Sequence, residues 1–305
     1  MNGLIYVDGA FQPAESAAVN VLDHGLLYGD GIFEGIRAYN GRVFRLERHI
    51  ERLFDSAKAI RLDIQLSPHA VEQIVLETCR QNLILDGYIR LLVTRGIGDL
   101  TLSPVTCRTP SLIVIARQVA SPFTSDVRDG ITAITSTFRR NAPDALSPAI
   151  KSLNYLNNVL ARLEAHDAGA DEAILLDREG YVSEGSADNV FIVTERALVT
   201  PPTSTNLRGI TRESVLRLAE ELGIRTEERR FALFDLWTAR EAFVCGTFAE
   251  VAPIASVDGR VIGSGEPGPT TRRIMAAYGE LVRTSGTPIY AGTTVPGGVV
   301  VGSRA

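Results

Sequence analysis

The sequence predicts an α+β protein made of two α/β domains, and three observations lead there. Strand and helix patterns are mixed without strict β-α-β alternation, antiparallel hairpin signals recur along the chain, and one Ser/Pro/Asp-rich break, "ASPFTSDVRDG", divides it at residues 120–130. With 305 residues, 45% of them apolar and 22% charged, the chain holds enough apolar material for one large or two ordinary cores.

Taken in order, "GLIYVDGAF" and "IRAYNGRVFRL" alternate around Asp8-Gly9 and Asn40-Gly41, which predicts two hairpins. The period then changes. Leu46, Ile50, Leu53, Phe54, Ala57 and Ile60 recur at helical spacing, and Val71, Ile74, Val75 and Cys79 repeat the pattern, so two amphipathic helices follow. "GYIRLLVTRG" and "SLIVIARQV" return to strand character. Residues 1–119 therefore read as a small N-terminal α/β domain and 120–130 as a linker. In a larger domain, 131–283, "ITAITSTF" reads as a strand, followed by a helix from about Lys151 to near Gly169 with Leu153, Leu156, Val159, Leu160 and Leu163 on one stripe. "EAILLDREGYVSEGSADNVFIV" predicts three short strands with turns at Arg178-Glu179-Gly180 and near Gly185. "LRGITRESVLRLAEELG" is a loop opening into a helix, and "EAFVCGTFAEVAPIASVDGRVI" returns to strands around Asp258-Gly259. The Gly/Thr/Val-rich residues 284–305 read as a flexible or docking tail.

Several function classes recede. A net charge of -5 and a pI of about 5.5 give no basic footprint for nucleic acid or an anionic membrane. Cys79, Cys107 and Cys245 are isolated, so neither a disulfide framework nor a metal site is expected. No apolar run approaches a bilayer span and the start resembles no leader, so a cytoplasmic enzyme of small molecules is the expectation.

Chemistry is suggested by a few residues. Lys151 is one of only two lysines, the other 29 of 31 basic residues being arginine. It reads either as an exposed site or as an amine able to lose its proton and attack a carbonyl, which guanidinium cannot do. Glu184, in "YVSEGSADNVF", is either a solvent-facing strand residue or an inward acid needing a positive partner. Gly209, Ile210 and Thr211 open a helix and are either an ordinary cap or an anion cradle; Gly246 and Thr247 are either a strand end or a second donor loop. Periodicity alone puts Arg52 on a solvated face.

The ordered motifs "YGDGIFEGIR", "RHIERLFDSA", "GYIRLLVTRG", "IKSLNYLNN", "EGSADNVF", "LRGITRE" and "CGTFAEVAP" resemble the fold-type IV pyridoxal-phosphate enzymes, specifically the branched-chain aminotransferase family. The resemblance covers about residues 3–283 and implies the D-amino-acid aminotransferase-like architecture, a cofactor at the domain interface, and a homodimer or higher homo-oligomer whose partner loop completes the pocket. It implies that Lys151 is the catalytic residue, binding pyridoxal 5'-phosphate covalently and moving the substrate proton. Glu184 would pair with the pyridine nitrogen, Tyr155 with the ring hydroxyl, and Leu207 would pack on the ring. Arg52, Gly209, Ile210, Thr211, Gly246 and Thr247 would hold the phosphate. Phe33, Gly35, Arg37, Tyr88, Arg90, Thr247 and Phe248 would bind the substrate. The implied reaction is ping-pong transfer of the amino group of L-leucine, L-isoleucine or L-valine to 2-oxoglutarate. Features shared with D-amino-acid aminotransferases, "GDGIFE", "VTRG", "IKSLN" and the Lys151 to Tyr155 spacing, keep D-amino-acid transfer as an alternative, and the resemblance also implies a fold that hosts (R)-amine transfer and aminodeoxychorismate lyase chemistry.

Overall fold

The structure, a computed structural model, describes residues 3–119 and 129–290. The described residues cluster into two compact units: 3–119 with 151–154 and 282–290, and 129–150 with 155–281. The expected division is thus redrawn in two places. Residues 151–154, expected in the larger domain, join the first unit, and so do residues 282–290.

The first unit is built on a sheet of strands β1 (Leu4–Val7), β2 (Ala10–Pro13), β3 (Gly31–Tyr39), β4 (Arg42–Val43), β5 (Gly87–Thr94), β6 (Ser111–Gln118) and β16 (Thr287–Pro288), in the order β16-β4-β3-β5-β6-β1-β2. Both expected hairpins form. Asp8-Gly9 and Asn40-Gly41 take positive φ at both central positions, the geometry of a tight turn that follows strand twist, which glycine adopts freely and Asn and Asp tolerate better than other residues with a Cβ. Helices α1 (His24–Tyr28), α2 (Leu46–Ala59) and α3 (Pro68–Gln81) accompany the sheet. Helix α3 starts where Ser67 accepts the Ala70 N–H at 3.1 Å and Pro68 occupies the first turn. Helix α2 buries Leu46, Ile50, Leu53 and Ala57, as its spacing predicts, with His49 and Ser56 beside them. Strand β3 is buried along its whole length. Its alternation sends Ile32, Glu34, Ile36 and Ala38 toward α2 and Phe33, Gly35, Arg37 and Tyr39 to the opposite face. Part of the expected tail docks here: Ile289 donates its N–H to the Gly41 carbonyl at 2.9 Å, and Arg80 bonds the Ile289 carbonyl at 2.6 Å. Residues 120–128 of the expected linker and 291–305 of the tail lie outside the described residues.

The second unit holds a nine-stranded sheet. Its strands are β7 (Ile131–Arg139), β8 (Glu172–Leu176), β9 (Val182–Gly185), β10 (Asn189–Val193), β11 (Leu198–Thr200), β12 (Thr226–Glu228), β13 (Glu241–Gly246), β14 (Glu250–Val257) and β15 (Arg260–Val261). The order is β12-β11-β10-β13-β14-β7-β8-β9, with β15 on β14. Helices α4 (Leu156–Asp167), α5 (Ile210–Glu221), α6 (Leu233–Trp237) and α7 (Pro269–Thr284) complete the chain. Ile174, Val190, Ile192, Val199, Phe231, Val244 and Ile254 share one apolar core.

The helix expected from about Lys151 begins at Leu156 instead. Its expected stripe also faces the wrong way: Leu156, Val159 and Leu163 are 69%, 50% and 50% exposed, while Ala161 and Ala165 are fully buried with Ala173 and Leu175. The small alanine side chains let α4 approach β7 and β8 closely, so packing fit decides the face rather than residue hydrophobicity.

Candidate active site

Part of the expected site set lies in the first unit. The antiparallel register pairs Gly35 with Arg90 and Arg37 with Tyr88, so Phe33, Gly35, Arg37, Tyr88 and Arg90 share one face of the β3–β5 ladder. Gly35 is required by close approach, since a Cβ there would overlap the Tyr88 hydroxyl. Arg90 lies over the Phe33 ring at 4.6 Å and the Tyr88 ring at 5.5 Å. Arg37 is 1% exposed and stacks on Tyr39 at 4.9 Å, yet its Nε and Nη1 have no hydrogen-bond partner among the described residues. A buried guanidinium with unmatched donors has the chemistry to take an anion.

Lys151 is not at a helix start. It lies in an extended segment laid along the beginning of β3: Phe33 donates its N–H to the Lys151 carbonyl at 2.9 Å, Leu153 donates to Gly31, and Ser152 bridges to Ile32. On helix α2, Ser56 accepts the Lys151 N–H at 3.2 Å. The amine stands 4.7 Å from the Phe33 ring centroid, on the same face as the arginines. Arg52 does not occupy a solvated face. Its Nε and Nη2 donate to the two oxygens of Glu34 at 2.8 and 2.7 Å, and its side chain is only 12% exposed.

The second unit carries the other candidates. Glu184 points inward, which resolves its two readings in favour of the buried acid. One oxygen is paired with Arg140, and the other accepts the Leu207 N–H at 3.0 Å. Asn189 bonds the Leu207 carbonyl at 3.1 Å through its side chain. Gly209 caps α5 without a side-chain bond, and a Cβ there would overlap the Asn189 amide oxygen. Ile210 and Thr211, both buried, therefore open a helix whose first N–H groups lack carbonyls of their own turn, the usual setting for an oxyanion. Gly246 ends β13, and its missing Cβ makes room for the Asp188 carboxyl; Thr247 and Phe248 follow in the loop to β14. Tyr155 is the residue from which α4 starts.

Sequence reading missed Glu34, His49, Arg140, Asn189 and Asp188. The signal for Glu34 was a single acid inside the otherwise apolar "GIFEGI". Burial alone would raise the Glu34 pKa, but the Arg52 charge and the hydrogen bonds of Arg52 and His49 outweigh it and hold the carboxyl at about 2. His49, bonded through Nδ1 to Glu34 at 2.7 Å, is pushed by burial below its usual value, against the pull of Glu34, and so stays neutral at pH 7. Asp188 behaves oppositely. Burial, and then the charge of its hydrogen-bonded neighbour Glu172, push it up to about 8. Among the described residues no group of His, Cys, Asp and Glu could hold a metal, and no helix is long and apolar enough to cross a membrane.

The family model for class IV amino-transferases matches residues 31–257. The chain belongs to the class IV aminotransferases. This aminotransferase is 49% identical over 287 residues to a Methanocaldococcus jannaschii protein provisionally named a branched-chain-amino-acid aminotransferase, covering 94% of this chain and 99% of that one. The Thermoproteus uzoniensis branched-chain aminotransferase solved with norvaline is 38% identical, with a TM-score of 0.89 over 95% of this chain and 100% of that one. The Thermobaculum terrenum branched-chain amino acid aminotransferase, solved as the holo form with pyridoxal phosphate, is 35% identical, with a TM-score of 0.84 over 92% of this chain and 94% of that one. The α+β, fold-type IV expectation is borne out by such neighbours.

Proposed function

We propose that this class IV aminotransferase uses pyridoxal 5'-phosphate to move the amino group of L-branched-chain amino acids to 2-oxoglutarate by a ping-pong route. The observation that carries the reading is the face bearing Lys151, Phe33, Gly35, Arg37, Tyr88 and Arg90, where apolar walls surround a buried guanidinium with unmatched donors. Aromatic and glycine surfaces suit a branched aliphatic chain, and the unmatched donors of Arg37 suit the second carboxylate of a dicarboxylic acceptor. One pocket can then serve both half-reactions.

The donor set fits the cofactor. Lys151 would hold it covalently; Arg52, Gly209, Ile210, Thr211, Gly246 and Thr247 would bind its phosphate; Tyr155 and Leu207 would seat its ring; and Glu184, held in place by Arg140, would face its nitrogen. When bound, pyridoxal phosphate supplies an electron-withdrawing ring that stabilises charge at the substrate α-carbon. Lys151 would take the substrate α-proton at its Nζ and return it. Thr247 and Phe248 would hold the α-carboxylate with Tyr88.

The exposed apolar loop residues Leu100, Leu102 and Val105 support assembly as a homodimer or larger homo-oligomer, which light scattering measures directly. Substrate choice is tested by following single half-reactions with L-leucine, L-valine, L-glutamate, D-alanine and (R)-phenylethylamine. L-leucine, L-valine and L-glutamate should each convert the cofactor within seconds. Conversion by D-alanine or the amine but not by L-leucine would overturn the assignment.

A further inference from the structure

Helix α2 does more than present Arg52. His49, Arg52 and Ser56 follow one another at spacings of three and four, so they lie along one face of the helix. All three make bonds toward the sheet and the Lys151 segment: His49 and Arg52 to Glu34, and Ser56 to the Lys151 N–H. Glu34 is 0% exposed, and its two oxygens receive one bond from Arg52 each, with His49 adding a third.

We propose that Glu34 is a positioning residue for cofactor binding, clamping the Arg52 guanidinium in a fixed plane with His49 as its second partner, and so fixing the helix whose Ser56 holds the Lys151 main chain. The inference rests on the assignment of Arg52 to the cofactor phosphate. A long arginine loses rotamer freedom when it meets an anion, and a bidentate carboxylate takes that loss in advance. Glutamine at position 34 could not do this. Because both oxygens accept from Arg52, its amide N–H2 would face an Arg52 donor in either orientation, leaving one acceptor oxygen where three bonds now converge on two.

The test compares equilibrium binding of pyridoxal 5'-phosphate and of pyridoxal, which lacks the phosphate, to the purified cofactor-free protein. For Glu34→Gln the Kd for pyridoxal phosphate should rise about tenfold while that for pyridoxal stays within about twofold. In the Arg52→Lys background the same change should add nothing further, because the clamp acts through Arg52. If Glu34→Gln does not fold, His49→Leu removes a single donor and should give a smaller loss with the same phosphate selectivity. Equal weakening of both ligands, no weakening of either, or full additivity with Arg52→Lys would overturn the proposal. Wild-type protein that binds no pyridoxal phosphate at all would instead remove the cofactor assignment on which it stands.

Discussion

Glu34 and Glu184 are both buried strand carboxylates bound to arginine, yet they are built by different means. Glu34 draws its partners from one helix, 15 and 18 residues further along the chain. Glu184 draws on Arg140, 44 residues before it, and on the main chain of Leu207, 23 residues after it. The first arrangement is a strand, a tight turn and a helix folding back, whereas the second exists only once three separate segments have met. The first unit can therefore form its charged cluster locally. The second draws its partners from segments far apart in sequence.

The largest expected effect is chemical and lies at the lysine whose main chain the first cluster's helix holds through Ser56. Lys151→Ala should lower amino transfer at least about a thousandfold, measured as steady-state turnover, because no other candidate site residue carries an amine. Next comes stability. Arg140→Leu leaves Glu184 buried beside only neutral donors and should cost about 3 kcal/mol in urea unfolding. An unchanged midpoint would mean that the second unit does not depend on this pair.

Asp188 sharpens the contrast further, since it is the acid whose pKa moves up rather than down. An unfolded aspartate ionises near pH 4 (roughly), while Asp188 keeps its proton to about 8. Between those values the folded state binds a proton that the unfolded state has lost, so stability falls as pH rises from about 4 to about 8 and levels off above. The groups facing it are Glu172, Arg162 and Glu184, with Cys245 nearby. Asp188→Asn should remove that slope, growing more stable relative to wild type at each step from about pH 5 to about pH 8. Parallel curves would refute the assignment. Glu34 has the opposite sign: its contribution is complete above about pH 4.5 and is lost as pH falls through about 2, so no change is expected between about pH 6 and 9.

The smallest effects distinguish the two faces of α4. Val159→Ser on the exposed face should change monomer stability by less than about 0.5 kcal/mol, whereas Ala161→Leu overpacks the buried one and should cost about 1–3 kcal/mol. Chemical denaturation of both variants checks this. The reverse order would restore the stripe that the sequence suggests.

These elements also show what the sequence could disclose. Hairpins at Asp8-Gly9, Asn40-Gly41 and Asp258-Gly259 were legible because the turns need positive φ at both positions and the residues permit it. Helix α2 was legible from its period, but the role of Arg52 was not, since its partner lies on a strand and periodicity records only which side of a helix is apolar. Helix α4 was misread because leucine and valine outweigh alanine in any hydrophobic pattern, although alanine is what a close helix–sheet contact requires. Arg140 was hidden beside Arg139, two identical residues of which one is buried against Glu184. Lys151 was visible by its rarity, while its strand-like setting depends on bonds to residues more than a hundred positions earlier, such as Phe33.

The most direct test of the central claim, that Lys151 holds pyridoxal 5'-phosphate in an aminotransferase site, is borohydride reduction of the purified protein with its cofactor, followed by peptide mass mapping. The expected result is loss of the yellow absorbance and one phosphopyridoxyl group on the peptide containing Lys151. A colourless protein that gains no absorbance with added cofactor, or a label on Lys58 in place of Lys151, would contradict it.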